Sequence, residues 1–232
     1  MKKSLATAFF CVALLAAIPA LANVTVGLPA DAGTGNCFPF GCAYSGEYQQ
    51  VYNSGQFSGT ITITDLEFFN TAFDNGATAT NTGNFAISLS TTSADWNTLS
   101  PTFANNIGGN NTLVFSGSIS QAWAFGDTLT ITLSTPFTYN PGAGNLLMDV
   151  VATGTNNAGG TIYFDTNGYN GGTRDGNTFL GRVYNGGSID SGYGLVTGFS
   201  TGVSTVPEPG SLALFGSGVI GLMAVVRRKL NM

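Results

Sequence analysis

Oxygen-bearing side chains supply most of the chemistry available to this 232-residue chain, which contains no histidine. Asp65 and Glu67 lie two positions apart in an alternating segment, so both carboxylates share one face of a predicted strand, as the acids of a glycosidase would. The alternative, which we favour, is a solvated strand face. Serine and cysteine nucleophiles activated by histidine or lysine are excluded from residues 23–206, because this segment contains neither residue type. We therefore predict no catalytic residues and a protein that is not an enzyme.

A glycine-rich segment from Asp165 to Asn177 carries several oxygen donors of the kind that Ca²⁺ prefers. The candidate ligands are Asp165, Asn167, Asn170 and Asp175. The spacing differs from that of an EF-hand loop, because an aromatic residue occupies the fifth position and no glutamate the twelfth. A polar hairpin loop is the alternative that we favour, and we expect no cofactor, with Ca²⁺ as the exception left open.

Aromatic side chains could stack on sugar rings, although the cores of β-sandwiches use the same side chains. We predict that Trp123 is buried, since alanines flank it, and that Trp96, with loop-like neighbours, is exposed. Trp96 and Tyr169 are the candidates for ligand stacking. The full set of aromatic candidates is Tyr44, Tyr48, Tyr52, Trp96, Trp123, Tyr163, Tyr169 and Tyr184.

Cys37 and Cys42 are the two cysteines between residues 23 and 206. An even number in an exported protein indicates a disulfide. A zinc site is the alternative, but two thiols without a nearby histidine would fill half of its ligand positions. We predict a Cys37–Cys42 disulfide.

Charge excludes one class of partner. Residues 23–206 hold two basic residues, Arg174 and Arg182, against eleven acidic residues, which leaves a formal charge of −9. A nucleic-acid-binding protein needs clustered cations to displace phosphate counter-ions. We therefore expect no nucleic-acid partner.

Alternation of polar and apolar residues with a period of two predicts the elements that position these side chains. Clusters of asparagine and glycine separate the alternating segments, as at Asn185–Gly187. The pattern predicts an all-β fold, an antiparallel β-sandwich that is jelly-roll-like by strand count, over residues 23–200. The predicted strands are 60–66, 85–89, 113–118, 128–133, 146–152, 161–164, 179–184 and 195–200.

The two ends of the chain have a different composition. Residues 1–22 combine Lys2 and Lys3, an apolar stretch and Ala20-Leu21-Ala22, the pattern of a secretory signal peptide cleaved after Ala22. A short flexible linker is predicted at 201–206. Residues 210–226 are uncharged and, as a helix, would span roughly 25 Å, close to the thickness of a bilayer core. A signal helix and a transmembrane helix are therefore expected to flank the domain.

The C-terminal segment, 207–232, combines three parts in a fixed order. Pro207-Glu208-Pro209 precedes the apolar segment, and the basic stop Arg227-Arg228-Lys229 follows it. The positive-inside rule places this basic stop in the cytoplasm. An ordinary membrane anchor is the alternative. The order closely resembles the PEP-CTERM sorting signal of Gram-negative bacteria that make exopolysaccharide.

This resemblance implies where the protein is delivered in the cell. It implies recognition of the motif by a membrane-embedded exosortase, an inner-membrane anchor before processing, and a final place in the outer envelope or extracellular matrix. Residues 47–52, 85–92 and 144–150 also resemble an exported β-domain found before such tails, which implies no known activity. We expect an envelope- or exopolysaccharide-matrix-associated protein without an assignable biochemical activity. The alternative is a carbohydrate-binding module for exopolysaccharide, assisted by Ca²⁺.

Overall fold

Fourteen β-strands, all paired antiparallel, form the regular structure of residues 23–201, the part of the chain that the computed structural model describes. Short 3-10 helices lie at Ser54–Gln56, Phe103–Asn106 and Pro141–Ala143. The strands are β1 (Val24–Val26), β2 (Gly46–Tyr52), β3 (Ile61–Phe69), β4 (Ala79–Thr92), β5 (Thr112–Trp123), β6 (Thr128–Tyr139), β7 (Asn145–Ala158), β8 (Thr166–Asn167), β9 (Tyr169–Asn170), β10 (Thr173–Arg174), β11 (Leu180–Tyr184), β12 (Ser188–Ser191), β13 (Gly194–Leu195) and β14 (Thr197–Thr201). The prediction of an all-β, antiparallel fold is confirmed.

The alternation seen in the sequence corresponds to the two faces of each strand. In β3, Leu66 and Phe68 are buried while Asp65 and Glu67 lie on the opposite face. The pairing register with β6 shifts between Ile63 and Asp65, which lets the pattern skip one residue without turning the apolar side chains outward.

Two large sheets contain most of the strands. One has the order β1-β14-β3-β6 and the other the order β12-β11-β2-β7-β4-β5, and two small sheets pair β9 with β10 and β8 with β13. The connections from β1 to β2, β2 to β3, β3 to β4, β5 to β6 and β6 to β7 each pass from one large sheet to the other. Sequentially adjacent strands are therefore mostly on opposite sides of the core.

The main core lies between these sheets and is rich in aromatic rings. Phe68 of the four-stranded sheet and Phe85 of the six-stranded sheet both contact Phe40, with ring centroids 4.8 and 5.3 Å from it. Trp123 is 3% exposed and meets Phe164 edge-on at 5.5 Å. The prediction that Trp123 is buried is confirmed.

A second, smaller apolar cluster covers the outer face of the six-stranded sheet. Val51, Leu147 and Val183 project from neighbouring strands and pack against Leu99. We call the segment 93–111 the cap, because its residues Ala94, Leu99, Phe103 and Ile107 complete this cluster. The six-stranded sheet is thus buried on both faces where the cap lies.

Strand β2 shows the effect of this double burial. Five consecutive residues, 48–52, are buried, including Gln49 and Gln50. The Gln50 amide donates to the Leu195 carbonyl, and its oxygen accepts from the Leu195 N–H and the Tyr48 hydroxyl. These hydrogen bonds satisfy the side-chain amide of Gln50, so β2 can be buried although polar and apolar residues do not alternate along it.

Some sequence-based boundaries change. The predicted strand 161–164 is wrong, since only Phe164 makes a bridge, to Asn36, and the residues before it belong to no strand. Thr201 is the last residue of β14, although the linker was predicted to begin there. Within residues 23–201 no helix is long and apolar enough to cross a membrane. The predicted signal peptide, the rest of the linker, the apolar segment 210–226 and the motifs at 207–209 and 227–229 lie outside the described residues.

Cys37 and Cys42 form a disulfide with a Cα–Cα distance of 5.2 Å, so the predicted pairing is confirmed. The enclosed loop packs closely on the chain near residue 162. A Cβ atom at Gly41 would lie 2.1 Å from the Ile162 carbonyl oxygen, so a side chain cannot be accommodated there. The loop places Phe40 in the main core.

Thiol labelling of the exported protein is expected to modify neither cysteine without reductant and both after reduction and unfolding. Intact mass counts the labels. Cys42→Ser is the matched control, because it leaves Cys37 without its partner and should give one label. Two labels on the non-reduced native protein would contradict the bond.

Candidate ligand-binding cleft

Aromatic side chains from separate segments line a cleft of about 360 Å³. Its size lies within the range of small-molecule sites, which are commonly walled by aromatic groups with a few polar ones. The lining residues are Gly33, Thr34, Gly35, Phe73, Tyr163, Tyr169, Arg174 and Tyr193.

Backbone hydrogen bonds hold the segment after β1 at one side of this cleft. The Asp31 N–H donates to the Thr166 carbonyl at 2.8 Å, and the Asp31 carboxylate accepts from the Tyr169 N–H at 2.6 Å. The Gly33 N–H donates to the Ala72 carbonyl at 3.1 Å. These contacts tie the first loop of the domain to the segment that carries Tyr169.

Asp165 fixes the loop that carries Phe73. Its carboxylate accepts three hydrogen bonds, from the Thr71 N–H at 2.7 Å, the Thr71 hydroxyl at 2.5 Å and the Ala72 N–H at 2.8 Å. The side chain is 2% exposed. A buried carboxylate with three donors has its lone pairs largely satisfied by the protein.

Phe73 and Tyr163 form one wall of the cleft. Their rings meet edge-on with centroids 5.3 Å apart. Tyr163 precedes the bridge that Phe164 makes to Asn36, and a Cβ atom at Gly35 would lie 2.7 Å from the Tyr163 Cβ. Glycine at position 35 therefore allows the two segments to approach.

Arg174 and Arg182, the two arginines of residues 23–206, lie together beside Tyr193. Arg182 is 1% exposed, and its Nη2 and Nε lie 2.7 and 2.9 Å from the Asp190 carboxylate. Its guanidinium lies 4.4 Å from the Tyr184 ring centroid and 4.7 Å from that of Tyr193. Arg174 lies over Tyr193 at 5.4 Å and 3.5 Å from Asp190. Two cations thus share one carboxylate and one aromatic ring.

The four predicted calcium ligands are all in contact with other protein groups. Asp165 holds the Thr71 loop, and the Asn167 amide donates to the Pro29 carbonyl at 2.8 Å. The Thr173 hydroxyl lies 2.7 Å from the Asn170 carbonyl oxygen and 2.6 Å from the Asp175 carboxylate, and its one proton can be donated to either of these acceptors. Within residues 23–201 no group of three or more acidic or cysteine side chains could hold a metal ion. The calcium site stays a prediction.

The predicted stacking residues separate. Tyr169 is 42% exposed and lines the cleft. Trp96 is half-buried in the cap and does not line the cleft, so the prediction that Trp96 is exposed is wrong. The backbone of Trp96 packs on β11, where a Cβ atom at Gly181 would lie 2.3 Å from its carbonyl oxygen. The buried aromatic candidates are Tyr44, Tyr48, Tyr52 and Trp123.

Asp65 and Glu67 share the outer face of β3, as predicted, and both interact with hydroxyl groups. The Thr132 and Thr64 hydroxyls donate to Asp65 at 2.7 and 2.9 Å, and the Ser200 hydroxyl donates to Glu67 at 2.8 Å. These bonds fit the solvated strand face that we favoured.

A different carboxyl pair lies beside the cap. Asp149 is paired with Gln49 across β7 and β2, and Glu47 lies two residues from Gln49 on the same face. Burial, followed by the repulsion and hydrogen bonding between the two groups, raises the pKa of Glu47 to about 7. Burial also raises the pKa of Asp149. The Gln49 amide links this pair to the cap by donating to the Phe103 carbonyl at 3.2 Å.

Sequence reasoning identified Tyr163 and Tyr169 as aromatic candidates but missed Phe73, Tyr193 and Arg174 as parts of one site. The one feature of the sequence that pointed to Arg174 is that it is one of two basic residues in the strongly acidic segment 23–206. The Glu47–Asp149 pair had no signal, because the two residues are distant in sequence.

Comparison with known families identifies the C-terminal segment. The family model for the PEP-CTERM protein-sorting motif matches residues 205–229, and this confirms the resemblance seen in the order of motif, apolar segment and basic stop. No curated protein matches the chain in sequence.

Proposed function

From the PEP-CTERM protein-sorting motif that this chain carries at residues 205–229, we propose that it is an exosortase substrate that ends in the outer envelope or exopolysaccharide matrix. The motif is the observation that carries the proposal. The signal-peptide pattern at residues 1–22 supports it, because export must precede processing of a C-terminal tail. In this proposal, residues 210–226 hold the protein in the inner membrane until exosortase acts.

The domain itself acts by binding and without turnover. Residues 23–201 contain no histidine and no lysine, the side chains that commonly move protons or activate nucleophiles near neutral pH. Asp65 and Glu67 are engaged with hydroxyls. We also propose a jelly-roll-like sandwich, supported by the two strand orders and the repeated passage between sheets.

Processing is expected to yield a mature N-terminus at Asn23 and, in a host with exosortase, loss of the tail near Pro207-Glu208-Pro209. Intact-mass measurement of the surface-released protein checks both ends. Glu208→Ala should leave the protein membrane-bound, while Glu67→Ala, the same change within the domain, should be processed normally. A released form that retains Arg227-Arg228-Lys229 would exclude this proposal.

Carbohydrate binding is the second candidate function, favoured by the aromatic cleft. Phe73, Tyr163 and Tyr169 offer ring faces or edges to a ligand of the size of one or two sugar units. A glycan array probed with the purified domain tests this candidate, with Tyr169→Ala as the variant. Array binding that is unchanged by Tyr169→Ala would place the site elsewhere.

A further inference from the structure

Arg174 is the one charged side chain among the residues that line the cleft. Its side chain is 46% exposed. Its polar contacts are weak, with Nη1 3.4 Å from the Tyr184 hydroxyl and 3.5 Å from the Asp190 carboxylate. Both contacts use Nη1, so Nε and Nη2 meet no acceptor within residues 23–201. The guanidinium therefore has donors available for a ligand.

Asp190 does not neutralise Arg174 fully, because the same carboxylate serves Arg182. Arg182 is buried and holds Asp190 through two nitrogens at 2.7 and 2.9 Å, while Arg174 lies at 3.5 Å. A buried cation depends on its counter-ion far more than an exposed one does. The short-range charge balance of the two arginines and Asp190 is therefore positive.

Two other carboxylates, Asp31 and Asp175, keep their charge beside the cleft but are directed toward neutral donors of the protein. Asp31 accepts the Tyr169 N–H, Asp175 accepts the Thr173 hydroxyl, and neither lines the cleft. The formal charge of −9 on residues 23–206 is spread over the whole domain, and physiological salt screens its contribution beyond about 8 Å. A ligand inside the cleft would meet the Arg174 charge at contact distance.

We propose that the cleft binds a sugar that carries a carboxylate, with the sugar ring against Tyr169 and the carboxylate paired with Arg174. This rests on the second candidate function. The planar guanidinium matches a carboxylate geometrically, and aromatic rings match the apolar faces of a sugar. Pairing through Arg174 requires no Ca²⁺ bridge, so the acidic body can bind an acidic polysaccharide directly.

Calorimetry with tri-galacturonate and its carboxyl-reduced, neutral form, each measured with and without EDTA, tests this proposal. The wild-type domain is expected to bind the charged trisaccharide about tenfold more tightly than the neutral one, as expected for a charge-assisted pair. Arg174→Gln should remove this preference and retain the neutral affinity. Tyr169→Ala should weaken both ligands, and thermal unfolding checks that each variant is folded.

The possible outcomes separate the two levels of the proposal. Equal binding of both trisaccharides, or a preference that survives Arg174→Gln, would overturn the role of Arg174 and leave carbohydrate binding intact. If binding of the charged trisaccharide disappears with EDTA, the carboxylate is held by a calcium bridge and not by Arg174. No binding of either trisaccharide would contradict the inference, and the glycan array would then decide carbohydrate binding separately.

Discussion

Asp190→Asn is expected to lower the free energy of unfolding of the domain by about 3–5 kcal/mol. The substitution preserves shape but removes the negative charge that lies 2.7 Å from Arg182 Nη2. Arg182 is 1% exposed, so its charge cannot turn to water once the partner is neutral. Breaking a buried pair in this way leaves the remaining charge uncompensated, which costs more than the pair itself contributes.

Equilibrium unfolding in urea measures the effect of Asp190→Asn. Asp74→Asn is the matched control, because Asp74 is exposed and its amide replacement can still accept from the Gly76 N–H. We expect this control to change stability by less than about 0.5 kcal/mol. Arg182→Met combined with Asp190→Leu should recover much of the loss, since neither charge remains. A loss below about 1 kcal/mol for Asp190→Asn would show that water reaches Arg182.

Raising the pH from 5 to 8 is expected to destabilise the wild-type domain by about 1 kcal/mol, a figure reduced for the partial exposure of Glu47. Burial and the nearby Asp149 raise the pKa of Glu47 to about 7, and burial raises that of Asp149. A carboxyl group whose pKa is higher in the folded than in the unfolded state stabilises the fold fully at pH values below its unfolded-state pKa. That contribution is lost as the pH rises through the folded-state value of about 7.

Asp149→Asn tests the origin of this pH dependence. The amide cannot ionise and can donate to Glu47, so the variant should be more stable than wild type at pH 8 and show a flatter profile. Asp74→Asn should keep the wild-type profile, because Asp74 is exposed. Urea unfolding at several pH values provides the measurement. An unchanged slope in Asp149→Asn would show that Asp149 makes no contribution to the pH dependence.

The strands with clear alternation were predictable because one physical pattern, an apolar face opposite a polar face, determines them. β3, β4 and β6 follow this rule over most of their length. β2 did not appear as a strand in the sequence, because the cap buries its outer face and Gln49 and Gln50 are satisfied by distant groups. Residues 161–164 alternate without forming a strand, because Ile162 and Phe164 reach the main core from a loop while Tyr163 lines the cleft.

The composition of the candidate cleft was predictable only in part. Tyr169 was identified because it lies in a polar, glycine-rich segment. Phe73 and Tyr193 come from other loops. The hydrogen bonds of Asp165 hold the loop that brings Phe73 to the cleft, and Arg174 lies over the ring of Tyr193. Such contacts depend on long-range packing, which local patterns do not encode. The same limit applies to Glu47 and Asp149.

Strand β14 is the last strand within residues 23–201, yet it lies inside the four-stranded sheet between β1 and β3. β1, the first of the described strands, pairs with it at Val24 and Phe199. In a chain that emerges from a translocon N-terminus first, β1 must wait unpaired until residues 197–201 have crossed, and β3 keeps an open edge for as long. Such an edge can pair with other chains. The four-stranded sheet can therefore be completed only after residues 197–201 have crossed, so its assembly follows translocation of the whole domain.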